Sequence, residues 1–145
     1  MKGLLTLARL EPAERSLALR TLLLVAGVRA ALWIVPFPRL QSLIRSLNVL
    51  PLSVPRETPV ERLVWAVRAA SRRVPGASCL TQSVALHCLL THAGHPSEVR
   101  IGVANDSERG FQAHAWVEHA GHTWLSAPSE TAPYVKLFSW GERQI

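Results

Sequence analysis

The sequence predicts an α+β fold, with helices first and a small antiparallel sheet after them. Three observations carry this reading. Apolar residues recur at helical spacing through the first two thirds of the chain, they alternate with period two from Val99 onward, and turn signals separate the short runs there. Hydrophobic residues make up 48% of the 145 residues, enough for one core and too many for a disordered chain.

Residues 12–35 read as a long helix. Pro12 suits a first turn, the Leu17, Leu19, Leu22, Leu23, Leu24 and Val25 run favours helix, and Pro36 and Pro38 end it. Thr21–Phe37 is the most apolar stretch, yet Arg29 in its middle makes it a poor membrane span. A buried or interfacial helix is the better expectation, and membrane association the weaker one. Leu40–Leu47 reads as a second, short helix, and Pro51, Pro55 and Pro59 mark an extended crossing.

Thr58 is expected to cap a third helix, with Pro59 in its first position and Glu61 completing a capping box. Leu63, Val64, Val67 and Ala70 follow at helical spacing, and Arg72-Arg73 suit its C-terminus. Pro75-Gly76 breaks the chain. Ser78 then caps a fourth helix that begins at or beside Cys79, with a stripe of Leu80, Val84 and Cys88, and Gly94 closes it. Val99, Ile101 and Val103 form a first strand, and Asn105–Gly110 a turn. Phe111–His119 is a second strand, Ala120-Gly121 a tight turn, and His122–Leu125 a third strand. The tail, with Tyr134, Phe138 and Trp140, carries no clear element.

The formal net charge is +6, and 14 of the 16 basic residues are Arg. Residues 1–73 are net +8 and residues 74–145 net −2, so the first half is expected to meet an acidic partner. No phosphate loop or dinucleotide fingerprint is present, and the arginines are not interleaved with aromatic residues on a strand, so nucleic acid is not an expected partner. Arg9, Glu11, Glu14 and Arg15 interrupt any signal-peptide pattern. Cys79 and Cys88 would face opposite sides of one helix, which argues against a bridge and suits a reducing, cytoplasmic setting. Of six histidines, His119 and His122 flank a turn, but no thiol or carboxylate converges on them, so neither a metal nor a cofactor is expected. Solvated turn histidines are the expectation there. Trp33, Trp65, Trp124 and Trp140 are expected in the core or an interface.

Cys79 and His114 carry the candidate chemistry. A thiol attacks a carbonyl as thiolate, and a helix N-terminus and a nearby imidazole both favour that form. Cys79 has the first by position, beside first-turn amides free to bind an oxyanion. Strand alternation puts His114, Trp116 and Glu118 on one face and Ala113, Ala115 and Val117 on the other, the small apolar set suiting contact with helices.

The segments C-L-T-Q-S-V-A-L-H-C-L-L-T-H-A-G-H-P-S-E-V-R-I-G-V and A-H-A-W-V-E-H-A-G-H-T-W resemble the transglutaminase-like leader peptidases of lasso-peptide biosynthesis. The likeness runs at motif strength over about residues 60–125 and more loosely over the N-terminal helices. It implies a papain/transglutaminase-like core over residues 56–145, a helix bearing Cys packed on a small sheet bearing His, after a helical subdomain at 1–55. It further implies a cysteine peptidase that removes the leader from a ribosomal precursor peptide. A leader-binding protein would present the substrate, and an asparagine-synthetase-like cyclase would close the ring.

Carried over residue by residue, Cys79 is the nucleophile and His114 the base. Trp116 of the H-A-W motif is expected to line the substrate cleft, and the net +8 of the first half makes Arg72 and Arg73 the expected docking residues for leader or partner. The third member departs from the family pattern, which has Asp where this chain has Ser126. Ser126 as a weak orienter, Glu130 as a displaced carboxylate, and a bare Cys–His dyad all remain open; Ser126 is favoured by position. Glu118 is four residues from His114 on the same strand, too far along it to orient the ring.

Overall fold

The computed structural model describes residues 12–49, 52, 54–108, 110–126 and 134–141. Among the described residues four α-helices precede four strands: α1 (Pro12–Ile34), a 3-10 turn (Phe37–Arg39), α2 (Leu40–Asn48), α3 (Val60–Ser71), α4 (Cys79–His92), β1 (Glu98–Asp106), β2 (Gly110–His119), β3 (His122–Trp124) and β4 (Val135–Gly141). The α+β class is as the sequence predicts.

α4 lies at the centre. It packs against α1, α2 and α3 on one side and against β1 and β2 on the other. Every residue from Ser83 to Leu90 is buried, so the predicted stripe of Leu80, Val84 and Cys88 is only part of a helix enclosed all round. Leu17, Leu24, Val25 and Val28 of α1 and Leu63, Ala66, Val67 and Ala70 of α3 fill the same core as α4. Residues on both sides of position 55 therefore share one core.

The sheet is antiparallel in the order β3-β2-β1-β4. Ala113 pairs with Val103, Ala115 with Ile101 and Val117 with Val99. Ala115, Val117 and Ile101 join the helical core, so that part of the small apolar face turns toward the helices, while Ala113 nearer the strand's start is exposed. β1 and β2 run longer than predicted, β1 reaching Asp106 and β2 starting at Gly110, which shortens the Asn105–Gly110 turn, while β3 stops one residue short of Leu125. Ala120 (φ 50) and Gly121 (φ 78) make the two-residue β2–β3 turn.

Two local expectations are corrected. Thr58 does not cap α3; its hydroxyl donates to Pro55 O (2.6 Å), and Pro59 takes the N-cap position with no side-chain bond. His119 is not a solvated turn residue. Its Nδ1 donates to Pro96 O (2.5 Å), and its ring meets His95 edge-on at 5.3 Å, while His95 Nε2 donates to Thr58 O (2.7 Å). These histidines tie the hairpin and the end of α4 to the crossing before α3.

His87 is buried inside α4. Asn48 Nδ2 donates to its Nε2 (3.3 Å), and its Nδ1 donates to Ser97 Oγ (2.7 Å), which fixes a neutral ring. Burial pushes its pKa down to about 4, with Glu98 opposing. The unfolded chain takes up this proton below about pH 6.5, while the folded chain refuses it until about pH 4. Stability is therefore complete above neutral pH and declines as pH falls through that window, by about 3 kcal/mol at its lower end. Urea unfolding at several pH values should show this slope in the wild type and not in His87→Gln.

Candidate active site

Cys79 is the first residue of α4, as the sequence predicts. Gly76 (φ 75) turns the chain just before it, and the Ser78 side chain accepts from the Thr81 amide (3.3 Å). Gln82 Nε2 donates to Ala77 O (3.4 Å), which pins the same loop. With Thr81 capped, the amides of Cys79 and Leu80 have no helical carbonyl to bind. They are free to receive an oxyanion beside a half-buried thiol at the positive end of the helix.

His114 stands at mid-strand in β2, opposite Gly102 of β1. Its Nε2 is hydrogen-bonded to Ser126 Oγ. The way Ser126 is aimed is visible in the backbone. β3 ends at Trp124, and Leu125 takes φ 70, a left-handed conformation costly for a branched side chain. That twist takes the chain out of the strand and directs the buried Ser126 hydroxyl to His114. With Nε2 engaged, Nδ1 is the ring nitrogen left without that partner. Glu130, the alternative orienter, lies outside the described residues.

The helix that starts at Cys79 packs against the strand that carries His114. Among the described residues no hydrogen bond joins the two side chains. In ligand-free sites such bonds commonly tighten only when substrate arrives.

Trp116 is wholly buried and so does not line a cleft. Its ring stacks on His114 (centroids 6.0 Å apart, planes 27°), and Tyr134 closes over both at 5.5 Å from His114 and 6.4 Å from Trp116. Gly102 makes room, since a Cβ there would come within 2.7 Å of Tyr134 Cβ and 2.9 Å of Trp116 Cη2. Trp116 Nε1 donates to Glu118 Oε1 (3.1 Å), and Glu118 pairs with Arg100 (2.8 Å). Glu118 thus serves the indole and Arg100. Tyr134 was not legible as a site residue; its position directly before a strand with no clear sequence signal hid it.

Arg72 borders a groove of about 340 Å³ between α3 and β3, with Trp65, Arg68 and Trp124. Trp124, which lines it from β3, pairs with Val117 of β2. Arg68 and Trp65 are lining residues that the sequence did not single out. Arg73 is exposed and does not line the groove. Trp65 and Trp33 are exposed, at 43% and 83%, and lie outside the core. Among the described residues no cluster of His, Cys, Asp or Glu could hold a metal.

Cys88 is the opposite of Cys79. It is buried, donates to Leu47 O (3.3 Å), and burial pushes its thiol up to about 12. It is a core residue.

A cysteine at a helix N-terminus, with an oriented histidine on an adjoining antiparallel strand, defines the thiol acyl-transfer class of α+β proteins. The family model for the transglutaminase-like superfamily matches residues 24–139, from within α1 to within β4. The chain belongs to that superfamily, whose chemistry includes cysteine peptidases and acyltransferases. No curated protein and no solved structure matches the chain.

Proposed function

We propose that this protein is a cysteine peptidase that removes the leader from a ribosomally made lasso-peptide precursor, acting with a leader-binding partner protein. The observation that carries the peptidase reading is that His114, bonded to Ser126, stands on a strand packed against the helix that begins at Cys79. The leader-peptidase reading adds the sequence pattern, C-L at the helix start followed by H-A-W-V-E.

In the reaction His114 Nδ1 takes the thiol proton as Cys79 Sγ attacks the junction carbonyl. The tetrahedral oxyanion sits against the first-turn amides of α4. Its collapse breaks the C–N bond, and the imidazolium gives its proton to the leaving amine. Water, deprotonated by the same nitrogen, then cleaves the thioester and restores the thiol. Ser126 accepts from Nε2–H throughout and holds the ring. The groove beside Arg72 receives part of the leader.

The decisive measurement is the intact mass of both products after incubation of precursor, partner and protein. Hydrolysis adds one water across the cut bond. A product carrying an added amine would instead assign an acyl transferase of the same fold.

One observation favours a second reading, a peptide-binding scaffold with a decayed site: the neutral Ser126 in place of a carboxylate. A serine fixes the ring but stabilises the imidazolium less than a carboxylate does. For a working enzyme, Ser126→Ala should lower kcat/KM by about tenfold and Ser126→Asp should raise it by a similar factor. Equal, undetectable turnover in all three proteins would support the scaffold.

A further inference from the structure

We infer that the outer face of α1 docks on an anionic lipid surface, with the helix lying in the interface. A helix at the surface of a globular protein is apolar on one side only. α1 is apolar on two opposite sides. Its inner face, Leu17, Leu24, Val25 and Val28, is buried in the core. Its opposite face carries Leu19, Leu23, Trp33 and Ile34 at 53%, 74%, 83% and 80% exposure. Over 18 residues the mean hydropathy reaches 1.8, yet only 28% of that window is buried.

Charge says what covers this face. From Arg15 to Arg56 the chain holds six arginines and no acidic residue. By helical geometry Arg15 and Arg29 border one edge of the exposed stripe and Arg20 the other. A basic rim around an apolar stripe is the pattern of an interfacial helix on anionic headgroups. A second copy fits less well, because pairing two such faces would bring like-charged rims together. Spanning is excluded by the inner face, since Val25 and Val28 are wholly buried and would have to leave the core. Trp33 suits a headgroup boundary, with the Arg29 guanidinium 5.6 Å from its ring. Arg29 also packs against Gly76, three residues before Cys79, so the docking face and the active-site loop share one side chain.

The test is co-sedimentation of the full chain with phosphatidylcholine vesicles, with and without phosphatidylglycerol. The chain should bind the anionic vesicles, release at high salt, and bind at least about tenfold more weakly as Leu23→Glu with Trp33→Glu. Both faces of the result are checked by a thermal melt and by Cys79 alkylation, which this double variant should leave unchanged. Binding equal on neutral vesicles, or undiminished in the double variant, overturns the inference. A folded, monomeric chain that stays off both vesicles also overturns it and leaves the face to a partner protein. A concentration-dependent dimer abolished by the same substitutions overturns it in favour of a second copy.

Discussion

Cys79→Ala is expected to abolish leader removal, with kcat/KM falling by about 10⁴ or more, while the protein stays folded. A fall of that size is about 5.5 kcal/mol of transition-state stabilisation, the scale expected when a member of the nucleophile–base unit is lost. Cys79 is half-buried at the start of α4, where Ala fits the helix and Ser78 still caps it, so the melt should move little. His114→Ala should cost a similar factor, since nucleophile and base act as one unit. The chain carries its own control. Cys88 is buried and its thiol is pushed up to about 12, so it offers a thiolate fraction on the order of 10⁻⁴ at pH 8. Iodoacetamide should therefore modify the native protein at Cys79 alone, and peptide mapping will show which thiol reacts. Leader removal by Cys79→Ala with the partner present would remove the peptidase reading, whatever the fold.

What could be read in advance follows the range of the interactions. Helix starts are local chemistry: Pro12, Pro75-Gly76 and Ser78 act within a turn of where they stand, and the helices begin where these residues say. Thr58 failed as a cap because a hydroxyl there has two acceptable uses, and Pro55 O won. β4 was hidden by a bulge. Ile101 pairs with Phe138 and Gly102 with Lys136, so Leu137 is an extra residue and the alternation slips at that point. Cys79 at the start of α4 and His114 in β2 sit where their own elements put them, while the Ser126 contact to His114 follows the position the resemblance marks rather than any local pattern. Whether the face shared by His114 and Trp116 is open or covered depends on Tyr134, which arrives from a distant segment. No period in β2 carries that information, which is why Trp116 reads as a cleft residue and is a buried one.

That covered face gives the second large effect. Trp116→Ala should destabilise the fold by about 3–5 kcal/mol, because the ring is wholly enclosed and its removal leaves a cavity between Gly102, Tyr134 and His114. It should also lower kcat/KM of the folded protein. His114 would keep Ser126 at Nε2 but lose the stacked plane that limits its rotation about the ring axis. Trp116→Phe should recover most of the activity and part of the stability, since a smaller aromatic plane still meets His114 while the bond to Glu118 is lost. Gly102→Ala approaches the same contact from the other side. Its Cβ would meet Tyr134 Cβ at 2.7 Å, so overpacking should cost about 1–3 kcal/mol and displace Tyr134 first. Urea unfolding gives the stability change, and kcat/KM measured where every variant is folded gives the positioning effect. If Trp116→Ala loses stability but keeps full kcat/KM, the indole supports the sheet and does not position the base. If it loses less than about 1 kcal/mol, the face is not packed in solution as it is here, and His114 is held by Ser126 alone.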